Sequence, residues 1–201
     1  MTSTLDNLAL SPEAQDLLFR EARTANAFTA DPVTDEELRE VYELIKWGPT
    51  SMNNQPLRVV FVRSDEAKAR LLPHMGEGNR AKTGTAPVVA ILAADTDFHE
   101  HFAKTFPHFP GAKDAFADDT RRTEAAKLNA LLQAGYFIVG VRAAGLAAGP
   151  MTGFDAEGVR QEFFAGTEQL PLVVVNIGHP DHSATFPRNP RLDFEEAVRV
   201  L

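Results

Sequence analysis

The chain contains no cysteine, an absence that removes disulfides, thiolate catalysis and cysteine metal sites together. It has no apolar run near the roughly 18 to 20 residues that span a bilayer, so no membrane partner is expected. Residues 1–10 lack a basic segment followed by an apolar one, and no signal peptide is read there. Positive charge is scarce as well: a net charge of −8 argues against a nucleic-acid partner, which favours a basic face. Repeats, low-complexity tracts and internal linkers are also missing. What is left, 44% apolar and 24% charged residues, is ordinary for a soluble globular protein. At 201 residues the chain is expected to form one domain, residues 1–201, with a full core. A cytoplasmic protein with a small-molecule or protein partner fits these bounds.

The stretch Trp47-Gly-Pro-Thr-Ser-Met-Asn-Asn-Gln-Pro56 organises the rest. It follows a helical pattern over residues 34–46 and precedes a β-branched and aromatic strand, residues 57–62. Its prolines, Pro49 and Pro56, favour extended and turn conformations and block helix and ladder alike. Thr50, Ser51, Asn53, Asn54 and Gln55 then present uncharged donors and acceptors on a fixed loop. Such a set suits the edge of a planar, neutral heterocycle better than a charged group. The plain alternative is a polar turn.

Around this loop the chain alternates helices and strands. Ser11-Pro12-Glu13 has the cap, proline and acid of a helix start. Arg23, Thr24 and Asn26 follow, a cation, a hydroxyl and an amide that suit an anion or plain solvent. Thr34 and Glu37 have the form of a capping box, with Leu38, Val41, Leu44 and Ile45 on one helical face. Residues 87–93 and 170–177 read as buried strands, the second with an Asn176 that needs a partner. Residues 123–145 form the longest helix, apolar nearly all round in its second half and so buried on every side. Residues 145–155 read as a Gly/Pro-rich loop ending at the helix cap Asp155, and residues 193–200 as a short closing helix.

Two tempting motifs are set aside. Gly76-Glu-Gly78-Asn-Arg-Ala81 satisfies the dinucleotide fingerprint letter by letter. The fingerprint works only straight after a strand, however, and this one follows a helix. His99, His101 and His108 crowd residues 95–119, but on a helix the first two point apart and no acid completes a ligand motif. No metal site is expected. An aromatic, proline-broken segment of this kind reads as a lid or insertion over a pocket.

Pro49-Thr-Ser-Met-Asn-Asn-Gln-Pro56 resembles the flavin-contacting loop of the FMN-dependent nitroreductase family, and four other segments match in the family order. The resemblance implies an α+β fold: a mainly antiparallel central sheet surrounded by helices, in a homodimer with a long interface helix and FMN between subunits. Residue by residue it implies FMN contacts from Arg23, Thr24, Asn26, Pro49, Thr50, Ser51, Asn53, Gln55, Asn79, Lys82, Thr152, Gly153 and Arg191. Arg23, Thr24 and Arg191 match phosphate ligands, while Ala22 and Asn26 stand where the family usually has or often has an arginine. Thr152 replaces a frequent glutamate, which leaves a backbone contact at Gly153 towards flavin N5. Phe106-Pro-His108 and Gly149-Pro-Met-Thr-Gly-Phe-Asp155 look most like the malonic semialdehyde reductase branch.

The implied reaction is a ping-pong one: NADH or NADPH delivers hydride to flavin N5, and the reduced flavin reduces malonic semialdehyde to 3-hydroxypropionate. No side chain is assigned as catalytic, and Lys82 is the cation expected beside the charged edge of reduced flavin. Arg121, Arg122 and Arg188 are the candidates for the substrate carboxylate. Two alternatives remain, a nitroaromatic or quinone reductase of the same family and a non-enzymatic flavin carrier or ligand sensor.

Overall fold

The computed structural model describes residues 8–181, 183 and 185–201. The first helix, α1 (Pro12–Gln15), starts at a Ser11 cap whose hydroxyl accepts from the Ala14 N–H, and it runs on as a π-turn through Arg20. Helix α2 (Asp35–Ile45) opens with the capping box formed. The Glu37 N–H donates to the Thr34 hydroxyl at 3.2 Å, and the Thr34 N–H donates to the Glu37 carboxylate at 2.7 Å. That bond holds the Glu37 carboxyl below its ordinary pKa. Strand β1 (Leu57–Val62), helix α3 (Asp65–Leu71), helix α4 (Glu77–Thr85) and strand β2 (Val88–Asp95) follow. A short helix α5 (Phe102–Thr105) and the long α6 (Asp119–Ala143) lead to strand β3 (Ala147–Met151). Helix α7 (Ala156–Phe163), strand β4 (Gln169–Gly178) and a last helix, α8 (Phe194–Ala197), complete the chain.

The strands form one sheet in the order β1-β2-β4-β3, every pair antiparallel. All eight residues of β2 are buried. Alternation then sends them to two cores on opposite faces. Val88, Ala90 and Leu92 join Val41 and Ile45 of α2 and Phe137 and Val141 of α6. Val89, Ile91 and Ala93 join Leu71, Met75, Val159 and Phe164 on the other side.

Three expectations change. The Gly/Pro-rich stretch read as a loop over 145–155 contains β3, paired along β4 with Pro150 opposite Val175. A proline is admissible there because β3 is an edge strand and needs ladder bonds on one side only. Helix α6 is not buried on every side within one chain. In its second half Ala134, Phe137, Gly140 and Val141 are buried whereas Gly135, Tyr136 and Ala143 are exposed, and before it Leu128, Leu131 and Leu132 are exposed too. Residues 98–116 are a small core more than a lid. The rings of Phe98 and Phe116 meet edge to face at 5.0 Å, and Phe102 and Ala112 are buried beside them.

Candidate functional site

The loop after α2 is held in a costly shape. Met52, Asn53 and Gln55 have φ of 52°, 50° and 41°, left-handed values that non-glycine residues adopt only when their surroundings insist. Buried polar side chains on α6 supply the insistence. The Ser51 N–H donates to Asn129 Oδ1 at 2.8 Å, and the Leu57 N–H donates to Gln133 Oε1 at 2.9 Å. Asn53 Nδ2 reaches the Thr105 carbonyl at 2.8 Å, Gln55 Nε2 reaches Asn53 Oδ1 at 2.7 Å, and the Gln55 N–H donates to the Thr50 hydroxyl at 3.2 Å. Gly48 lets α6 come close, since a Cβ there would lie 2.9 Å from the Tyr136 ring. Pro49 and Ser51 are exposed at the rim.

A second cluster is cationic. Arg23, Thr24, Asn26, Arg142, Arg188 and Arg191 line one cleft of about 230 Å³, next to a second cavity that Arg23, Thr24, Asn26 and Arg142 also line. Two arginines fasten the C-terminal tail over the segment after α1. Arg23 donates to the Phe186 carbonyl, and Arg188 donates to the carbonyls of Arg20 and Ala22. Among the described residues Arg191 bonds only the carbonyls of Asn189 and Pro190, its own neighbours. Arg142 comes from the end of α6 and donates to the Leu18 carbonyl at 3.3 Å, with its Nε unpartnered among the described residues. Burial, and then the Arg188 charge, lower its pKa from the usual guanidinium value. A half-buried cation whose Nε–H finds no partner among the described residues, beside three more arginines and a hydroxyl, is suited to an anion.

Strand β3 connects this cleft to a third cluster. The Ala25 N–H donates to the Ala148 carbonyl at 3.1 Å, and a Cβ on Gly149 would lie 2.6 Å from the Ala25 carbonyl. Only glycine permits that approach. Beyond the strand, Thr152 and Gly153 are exposed. The Gly153 carbonyl accepts from Asn79 Nδ2 and from the Gly76 N–H, both at 3.0 Å. Lys82 is half-buried one turn along α4 from Asn79.

The structure therefore brings Arg23, Thr24, Asn26 and Arg191 together, and joins Asn79 to Gly153. It does not bring the loop 49–56 to them: neither cavity lined by Arg23 includes a residue of that loop. Two groups of residues were missed from the sequence. Arg142 lay in a stretch that reads as apolar helix, and Asn129 and Gln133 stood among leucines and alanines. A charge or amide on the inward face of such a helix was the available signal. Arg122, a candidate for substrate, is engaged by Asp119 and by the carbonyls of Phe116 and Ala117, and Arg188 by its two carbonyls.

The family model described as Nitroreductase matches residues 19–179. The chain belongs to the nitroreductase family. A Streptomyces coelicolor protein described as a candidate NADH dehydrogenase/NAD(P)H nitroreductase is 62% identical over 97% of this chain and 100% of its own length. A Leptothrix cholodnii protein of the same description is 54% identical, with both chains covered in full. Among solved nitroreductase structures, one from Bacillus subtilis superposes with a TM-score of 0.82 at 24% identity, covering 94% of this chain and 99% of that one. A structure from Exiguobacterium sibiricum in complex with FMN has a TM-score of 0.82 at 17% identity, over 95% and 98% of the two chains. These likenesses show the nitroreductase fold, as expected from the sequence.

Proposed function

We propose that this member of the nitroreductase family is a flavin-dependent NAD(P)H oxidoreductase, one FMN-binding unit over residues 1–201, working in the cytoplasm as a homodimer. The observation that carries it is the convergence of Arg23, Arg142, Arg188 and Arg191 with the Thr24 hydroxyl on one cleft. That donor set fits a phosphate monoester, and the orphaned Arg142 Nε gives it an unmet N–H to satisfy. FMN, when bound, supplies hydride transfer between NAD(P)H and an acceptor. In this reading the arginines and Thr24 hold the phosphate, the Thr152–Gly153 backbone orients the ring, and Lys82 stabilises negative charge on it. Asn79 fixes the Gly153 peptide through its carbonyl. The loop Pro49–Gln55, pinned by Asn129 and Gln133, belongs to the same site by way of the second subunit. The names of the relatives in Streptomyces and Leptothrix support NAD(P)H as the donor.

The acceptor in this proposal is malonic semialdehyde, reduced to 3-hydroxypropionate. Phe98, Phe102 and Phe116 are buried in their own core and are not free to stack on a flat substrate, although Phe109 stays half exposed. A carboxylate in a shielded site binds only beside a cation or several N–H groups. Malonic semialdehyde is accordingly expected to exceed propanal about tenfold or more in kcat/KM, because one charge-assisted contact is worth over about 1.4 kcal/mol. Steady-state NAD(P)H oxidation with each aldehyde measures the ratio. Equal turnover of the two, or much faster reduction of quinones, favours the second reading, a nitroaromatic or quinone reductase, which the names of the relatives support.

A further inference from the structure

A second polar cavity, sharing no lining residue with the arginine cleft, lies where the loop meets β1 and α5. It has a volume of about 390 Å³ and is lined by Asn53, Asn54, Gln55, Arg58, His101 and Lys104. Arg58 Nη2 sits 2.6 Å from Asp95 Oδ2, and His101 Nε2 lies 3.9 Å from the same oxygen. Asp95 is thus the one acid at this point, and its charge is matched by Arg58. Lys104 is exposed, and its ammonium has no carboxylate or carbonyl partner among the described residues. Counting only the permanently charged groups, the cavity carries one cation more than it has anions.

Asn54 supplies the second observation. It is 1% exposed, it lines this cavity, and neither its Nδ2 nor its Oδ1 has a partner among the described residues. A buried amide with both ends unpaired is costly and rare unless a bound group completes it. The neighbouring amides are already engaged, Asn53 on the Thr105 carbonyl and Gln55 on Asn53, so they fix the wall and leave Asn54 as the unsatisfied group.

We propose that this cavity is a carboxylate site for a short acid: Lys104 takes the carboxylate, beside an Arg58 already held by Asp95 and by the carbonyls of Gln55 and Leu57, and Asn54 serves a second polar atom of the same molecule. Resting on the acceptor reading above, the acid is the substrate, and the site is what separates malonic semialdehyde from neutral aldehydes. It replaces Arg121, whose guanidinium lies over the Phe116 ring, Arg122, which is engaged by Asp119 and the Phe116 carbonyl, and Arg188, which lines the separate arginine cleft. One excess positive charge suits one carboxylate better than a dianion.

Titration calorimetry of 3-hydroxypropionate into the purified holoprotein, without NAD(P)H, tests the site apart from turnover. Lys104→Gln is expected to raise the dissociation constant about tenfold, the scale of one charge-assisted contact, and Lys104→Arg to stay near the native value. 1-Propanol, the same skeleton without the carboxylate, is expected to bind too weakly to measure. Equal affinity in K104Q and the native protein, or inorganic phosphate binding as tightly as the acid, overturns the site. Comparing kcat/KM for malonic semialdehyde and propanal separates the two claims. A tenfold preference that survives K104Q keeps the acceptor and removes this cavity. Lys104-dependent binding of the acid by a protein that does not reduce malonic semialdehyde keeps the acid site and removes the acceptor.

Discussion

Arg142→Ala and Arg191→Ala are each expected to weaken FMN binding by roughly 1.5 to 3 kcal/mol, the scale of hydrogen bonds to a charged group. That is on the order of ten- to a hundredfold in dissociation constant. The effect should be large because the segment after α1 is poor in cations: Ala22 and Asn26 stand where nitroreductases usually or often have arginines. In the proposed site the missing charge comes from the end of α6 and from the tail, and among the described residues Arg191 has no bonds except to its own neighbours. Arg142 also ties α6 to the Leu18 carbonyl, so its loss touches packing as well as charge. Arg142→Lys separates the two, since it keeps the charge and loses the fork. Quenching of flavin fluorescence on binding gives the constants. An unchanged constant in a folded R142A or R191A removes that residue from the site.

Placing two acids on the outer face of α6, as Leu128→Asp with Leu132→Asp, is expected to give monomers that have lost FMN. Leu128, Leu131 and Leu132 are each at least half exposed within a single chain, with Tyr136 one turn further on. Trp47, 79% exposed, lies at the end of α2 beside the glycine that packs under Tyr136. Burying a leucine is worth about 1.5 to 3 kcal/mol, so a partner covering this stripe gains several times that amount, and two buried carboxylates without cations reverse it. Flavin is expected to leave with the partner because the proposed site draws the loop 49–56 from the second subunit, and neither of the two cavities lined by Arg23 described above includes a residue of that loop. Sedimentation at micromolar concentration, with flavin absorbance followed in the same run, reads both outcomes. A native protein that sediments as a monomer with its flavin in place contradicts the shared site.

Much of this was legible in the residues. The capping box at Thr34 and Glu37, the cap at Ser11 and the strands at 57–62 and 170–177 are local in cause and appear where the sequence puts them. β3 was not legible, because Gly149 and Pro150 are turn residues by propensity and only an edge position lets them pair. Asn176 shows the same limit. A partner was expected for it, and its amide N–H does reach the Thr83 hydroxyl at 3.4 Å, but its oxygen finds none among the described residues. Lys104 takes its proposed role from a position in space that no spacing along the chain reveals, and Arg142 offered only the signal of a charge within an apolar helix. The loop was clear in composition, yet its left-handed backbone depends on Asn129 and Gln133, more than seventy residues away.

Denaturing the purified protein and identifying the released flavin is the most direct measurement. The expected result is FMN, freed intact because no cysteine is present to hold it by a thioether bond and the proposed phosphate ligands, the arginines and Thr24, bind it through hydrogen bonds and charge. Release of FAD, or a colourless protein that fails to bind added FMN, contradicts it.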